Sequence, residues 1–130
     1  MVTLWAMARS PLFIGGNLTQ MDDAMKSLLT NPAVIEMDQH SIDSGQTEQT
    51  GDMVVWTSKS STGGRNYLAV FNLGDAPNEV ALEWNELGLA KGMTYALRDL
   101  WERKDAGSAT SLKVTVAPHA SVLYLATEAK

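Results

Sequence analysis

Cysteine is absent from the 130 residues. That excludes disulfides and thiolate metal sites. Basic residues are few: ten Lys and Arg against fifteen Asp and Glu leave a formal net charge of −5. They are scattered, and phosphate-backbone binding needs them clustered, so nucleic acid is not expected as a partner. Long hydrophobic runs are missing too. The most apolar stretch, near the N-terminus, is broken by Arg9, Ser10 and Pro11. It falls short of the roughly 20 residues that a membrane span needs, so no membrane contact is expected. No basic region precedes that stretch, and its charge falls inside the run, so it does not read as a signal peptide. A chain without cysteine suits cytosolic, periplasmic and secreted settings alike, and the compartment stays open. Gly15-Gly16 and Gly63-Gly64 lack the lysine of a phosphate loop, and no cofactor is expected.

What is present is the make-up of a packed globular chain. Hydrophobic residues are 45% of it and charged residues 19%, and the apolar residues recur in patterned blocks. The length gives room for one sizeable core. Composition nonetheless shifts along the chain. Residues 1–40 hold five of the seven methionines and are patterned as helix. Residues 50–126 hold most of the β-branched and aromatic alternation. The polar stretch between them, Ser41–Asp52, reads as a loop or linker.

In the first part, Val2–Arg9 is apolar nearly all round, as a helix buried on most faces would be. Pro11 disfavours helix at Ser10. Leu12-Phe13-Ile14, closed by Gly15-Gly16, suits a buried parallel strand. Asn17 or Thr19 would cap the next helix, over 18–30, with Asp22 and Asp23 near its positive end. Leu18, Met21, Met25, Leu28 and Leu29 give that helix one apolar stripe, and Asn31-Pro32 ends it. In the second part, strands are expected at Met53–Ser58, Tyr67–Leu73, Val80–Trp84, Met93–Asp99, Leu112–Val116 and Ser121–Ala126. Thr62-Gly63-Gly64 reads as a hairpin turn and Gly74-Asp75-Ala76-Pro77 as a second turn. About seven short strands at this spacing indicate a mainly β fold, an antiparallel Greek-key β-sandwich.

These pieces, in this order, resemble a known family. "LWAMARSPLFIGGNLTQM" followed by "SLLTNPAVIEMDQ" is similar to the end of the catalytic barrel in the α-galactosidases of glycoside hydrolase family 27. "YLAVFNLGDAPNEVALEWNELGL", "ALRDLWERKDAG" and "VTVAPHASVLYL" are similar to the C-terminal β-domain of that family, including its Asp-Leu-Trp motif at Asp99-Leu100-Trp101. The resemblance runs over residues 5–126. It implies two domains. Residues 1–40 would be the end of a (β/α)8 barrel: helix 7 at 2–9, strand 8 at 11–16 and helix 8 at 18–30. Residues 41–130 would be the C-terminal antiparallel sandwich. One departure is visible, since Gln39-His40 stands where many relatives have Gln-Asp.

The resemblance also implies a reaction: retaining hydrolysis of terminal α-galactosides by two aspartates, a nucleophile and a general acid/base. Retention needs their carboxyls about 5–5.5 Å apart. In the family they lie on the fourth and sixth barrel strands, and no residue here matches either motif. No catalytic residue is therefore carried over, and the chain alone is expected to be inactive. The family also allows a secreted or periplasmic setting. The choice between galactose and N-acetylgalactosamine is not legible.

Barrel active sites form at the C-terminal ends of strands. Gly15, Gly16 and Asn17 would lie at that rim and help to shape a substrate pocket; a tight turn plus a helix cap would use the same residues. Asp22 and Asp23 are adjacent, point about 100° apart on a helix and fit its first turn. Glu36 and Asp38 would share a face if they lie on a strand, but further oxygen ligands for a cation are lacking. Asp99, Glu102 and Asp105 among Arg98, Arg103 and Lys104 read as surface ion pairs. His40 and His119 lie far apart, and neither is expected to bind a metal; His119, after Pro118, fits a turn-side hydrogen bond. Trp5, Trp56, Trp84 and Trp101 fit core or interface packing. A second reading, a non-catalytic carbohydrate-binding module, needs two of them exposed on one sheet face. If the barrel partner is absent, helix 2–9 and segment 12–14 expose apolar surface, and self-association of the chain is expected.

Overall fold

The computed structural model describes residues 1–13 and 15–129. Its elements run in chain order as α1 (Val2–Met7), a short 3-10 turn (Leu18–Gln20), α2 (Asp23–Leu29) and α3 (Pro32–His40). Strands β1 (Ser41–Thr50), β2 (Met53–Ser60), β3 (Arg65–Asn72) and β4 (Asn78–Glu83) follow. A second 3-10 turn (Trp84–Leu87) leads to β5 (Tyr95–Asp99), β6 (Lys104–Ala109), β7 (Ser111–Val116) and β8 (Ser121–Glu128). The fold is mainly β and antiparallel. One sheet has the order β1-β2-β3-β8-β5-β6 and the other pairs β4 with β7. The last strand is thus inserted between β3 and β5.

Alternation along the central strands separates two apolar layers. Met53, Val55, Leu68, Val70, Tyr95, Leu97 and Ala126 face the β4–β7 sheet and form the sandwich core with Trp84, Leu87, Leu112 and Val116. The odd-numbered residues Tyr67, Ala69 and Leu123 face the other way. Against them pack Ala6 and Met7 of α1, Val34 and Met37 of α3, and Leu100. The six-stranded sheet is therefore covered on both faces, by the small sheet and by the N-terminal helices.

Four expectations need correction. Ser41–Asp52 is not a loop: Ser41–Thr50 is a strand paired with β2 from Ser41↔Ser60 to Thr50↔Met53. It is an edge strand, so its polar side chains reach water and its sequence carries no period-2 signal. Register shifts between Ile42 and Gly45 and between Gln46 and Glu48 blur the alternation further. Second, no strand forms over Pro11–Phe13. Phe13 is 81% exposed; Ile14 lies outside the described residues. A strand needs a neighbouring strand to take its backbone groups, and none lies beside this segment among the described residues. Third, Asn31-Pro32 ends one helix and starts another. Asn31 caps α3 by accepting from the Ala33 amide at 3.1 Å, with Pro32 in the first turn, where its missing N–H costs nothing. Glu36 and Asp38 therefore lie on a helix, two residues and about 200° apart. Fourth, the helix expected over 18–30 is two pieces. Asn17 caps the 3-10 turn and Asp22 caps α2, accepting from the Met25 amide at 2.7 Å.

Candidate functional site

Residues 11–13 and 15–22 lie between α1 and α2 in the chain, with the 3-10 turn Leu18–Gln20 among them. Gly15, Gly16 and Asn17 are exposed, and a methyl group added at either glycine would meet no atom within 4 Å. The Asn17 side-chain oxygen accepts from the Thr19 amide at 3.0 Å and from its hydroxyl at 2.7 Å. Three large apolar side chains of this region are also exposed: Phe13, Leu18 (64%) and Met25 (51%).

The helices that flank the segment are tied to one turn, α1 through Thr3, α2 through Ser27 and α3 through its cap Asn31. The Asp99 carboxylate accepts from the amides of Trp101 (2.9 Å) and Glu102 (2.8 Å), which closes the turn after β5. Leu100 is buried, and its amide donates to the Leu123 carbonyl on β8 at 2.9 Å. Its carbonyl accepts from the buried Asn31 amide at 2.7 Å. The Trp101 indole donates to the Thr3 hydroxyl at 3.1 Å, and Thr3 shares a 2.9 Å hydrogen bond with Ser121. The Arg103 guanidinium donates to the Ser27 carbonyl at 2.9 Å. The Asp-Leu-Trp motif is thus a joint between the sheet and the helices. Sequence reasoning missed Thr3 and Asn31 as members; Asn31, ahead of Pro32, carried the visible signal of a helix cap.

The tryptophans divide. Trp84 is 1% exposed and meets Tyr95 edge to face, with ring centroids 5.3 Å apart. Trp56 and Trp101 are half-buried against the helix-side cluster, and Trp5 lies on α1 at 40% exposure. No two tryptophans stand exposed on one sheet face. Trp101 lines a cavity of about 240 Å³ with Ala24, Ser27, Leu28 and Asn31. The Trp101 indole and the Asn31 amide in its lining already donate to protein acceptors.

The remaining polar candidates do not converge. His40 pairs with Glu36 at 3.2 Å one helical turn away, and His119 meets Asp75 at 2.8 Å between two turns. Arg98–Asp105 (2.7 Å) and Lys104–Glu102 (3.6 Å) are exposed ion pairs. Among the described residues, no group of three or more His, Asp or Glu gathers as a metal site would require. Burial raises the Asp38 carboxyl above its usual range, with the Arg9 guanidinium pulling partly back. Burial likewise raises the Tyr67 and Tyr124 hydroxyls. No helix among the described residues is long and apolar enough to cross a membrane.

Comparison with known proteins agrees with this architecture. Residues 50–126 match the family described as the alpha galactosidase C-terminal beta sandwich domain. Alpha-galactosidase 2 of Arabidopsis thaliana is 33% identical over 98% of this chain and 33% of its own length. The alpha-galactosidase of Cyamopsis tetragonoloba is 29% identical over 96% of this chain and 31% of its own. Among solved structures, a glycoside hydrolase family 27 β-L-arabinopyranosidase from Geobacillus stearothermophilus, in complex with arabinose, superposes with a TM-score of 0.94. It is 34% identical and is matched over 100% of this chain and 30% of its own. The chain thus spans about a third of the length of the curated relatives it matches. It belongs to the family of the alpha galactosidase C-terminal beta sandwich domain, which its residues 50–126 match, and corresponds to the C-terminal part of glycoside hydrolase family 27 enzymes.

Proposed function

We propose that this chain is the non-catalytic closing portion of a retaining glycosidase acting on terminal α-galactosides. Residues 1–40 are its last barrel units and residues 41–130 its accessory sandwich. One observation carries the reading: the likeness to the Geobacillus enzyme covers this chain from end to end, N-terminal helices included, yet only 30% of that enzyme. The exposed Phe13, Leu18 and Met25 fit it, as apolar side chains that a barrel neighbour would cover. Gly15, Gly16 and Asn17 then lie at the mouth of the barrel, where the two glycines, with no atom within 4 Å of an added methyl group, leave room for a sugar. In isolation the same apolar residues pair copies of the chain.

The test has two arms. A ¹⁵N–¹H correlation spectrum of the 130-residue chain, titrated with melibiose, should show no saturable shifts at millimolar sugar. Shifts clustered on one face would replace this reading with a carbohydrate-binding module. The chain grafted in place of the matching part of the Geobacillus enzyme should restore hydrolysis, assayed with nitrophenyl α-galactoside and β-L-arabinopyranoside. A folded but inactive graft would count against the reading.

A further inference from the structure

We infer that the turn Asp99–Arg103 is a clamp that sets the position of segment 11–22, with Trp101 and Thr3 as positioning residues for the rim at Gly15–Asn17. This rests on the reading above, in which that rim faces sugar.

The clamp grips on both sides of the segment. On the α1 side, the Trp101 indole holds the Thr3 hydroxyl, which is itself tied to Ser121 on β8. On the α2–α3 side, the Leu100 carbonyl holds Asn31 and the Arg103 guanidinium holds the Ser27 carbonyl. The Ser44 hydroxyl adds a bond to the Met7 carbonyl at the end of α1. The turn itself is pinned to the sheet through the Leu100 amide and stiffened by Asp99. Between the grips, the hydrogen bonds of residues 11–13 and 15–21 stay inside the segment among the described residues. Its path is therefore governed by where its ends are fixed, because a tethered chain explores fewer conformations than a free one. Thr3 and Asn31 are buried polar residues whose bonds cross from helix to sheet or to the turn. Such bonds fix direction and register, which burial alone does not.

Three variants separate positioning from packing. Trp101→Phe keeps an aromatic ring and removes the donor, Thr3→Val removes the hydroxyl, and Thr3→Ser keeps it. In the active graft, Trp101→Phe and Thr3→Val should raise KM by about tenfold with kcat nearly unchanged, and Thr3→Ser should restore it. In the 130-residue chain, Trp101→Phe should shift the ¹⁵N–¹H signals of 11–22 while β1–β3 signals stay in place. A lowered Tm with KM unchanged would overturn the positioning role. A folded, inactive unsubstituted graft overturns the reading under Proposed function and the sugar-facing role with it. The spectrum then judges the clamp alone, and unmoved signals from 11–22 overturn it.

Discussion

The Asn72 side-chain amide donates to the Val116 carbonyl at 2.9 Å and so joins the end of β3 in one sheet to the end of β7 in the other. The same amide donates to the Ala76 carbonyl at 2.8 Å, and its oxygen accepts from the Gly74 amide at 3.0 Å. One side chain, 1% exposed, thereby satisfies three backbone groups where the chain crosses between sheets. Asn72→Ala leaves those groups unpaired beside the core. It should cost about 3 kcal/mol in urea unfolding. Asn72→Asp, which keeps the accepting oxygen and loses both donated bonds, should fare no better at neutral pH.

Trp84 anchors the sandwich core from the other side. Its ring meets Tyr95 at 70° between planes, its indole donates to the Ala109 carbonyl at 3.3 Å, and the Tyr95 hydroxyl accepts from the Ala90 amide at 3.2 Å. Trp84→Phe removes ring area and one donor together. The expected loss is about 2 kcal/mol in the same unfolding measurement. Tyr95→Phe removes only the hydroxyl and should cost about 1 kcal/mol, because the Ala90 amide lies near water.

What the sequence made legible follows burial. The strands beside the core (β2, β3, β4, β5, β7 and β8) announce themselves through alternation, because one face of each is dry. The two strands that escaped notice, Ser41–Thr50 and Lys104–Ala109, are the two edges of the six-stranded sheet. Edge strands need no apolar face, and their pairing is dictated by the neighbour's open backbone rather than by their own side chains. The strand expected at Leu12-Phe13-Ile14 failed for the opposite reason: an apolar run signals burial, yet Phe13 is 81% exposed, and Ile14 lies outside the described residues. The clamp was legible in part: Asp99-Leu100-Trp101 stands out as a family motif, while its contacts to Thr3 and Asn31, 98 and 69 residues away, are tertiary facts.

Asp38 should make stability depend on pH. Its Oδ1 is buried without a hydrogen-bond partner, and burial raises its carboxyl above the ordinary 3.8. The folded chain therefore holds this proton more tightly than the unfolded chain. Stability falls as pH rises from below the ordinary value through the raised one, since the charged form is the disfavoured one in the fold. Asp38→Asn removes the charge and keeps the shape. It should raise Tm at neutral pH, and the gain should vanish by about pH 3, below both values. An equal gain at both pH values would mean that the amide makes new contacts and that ionisation is not the cause.

The exposed apolar residues of segment 11–25 set the last prediction. Phe13, Leu18 and Met25 each leave half or more of their surface in water. Removing such area from water is worth about 25 cal/mol per Å², which favours pairing of two copies through these side chains. The chain alone should therefore run larger than 14.1 kDa in sizing with light scattering. Phe13→Ser with Leu18→Ser should return it to a monomer with Tm changed by less than about 0.5 kcal/mol equivalent, because both side chains lie outside the two core clusters. In the grafted enzyme the same pair of substitutions should instead lower Tm, since on the proposed reading the barrel there covers the residues that water meets here. A monodisperse monomer from the unsubstituted chain would remove the self-association, and a graft indifferent to the substitutions would remove the barrel as the cover.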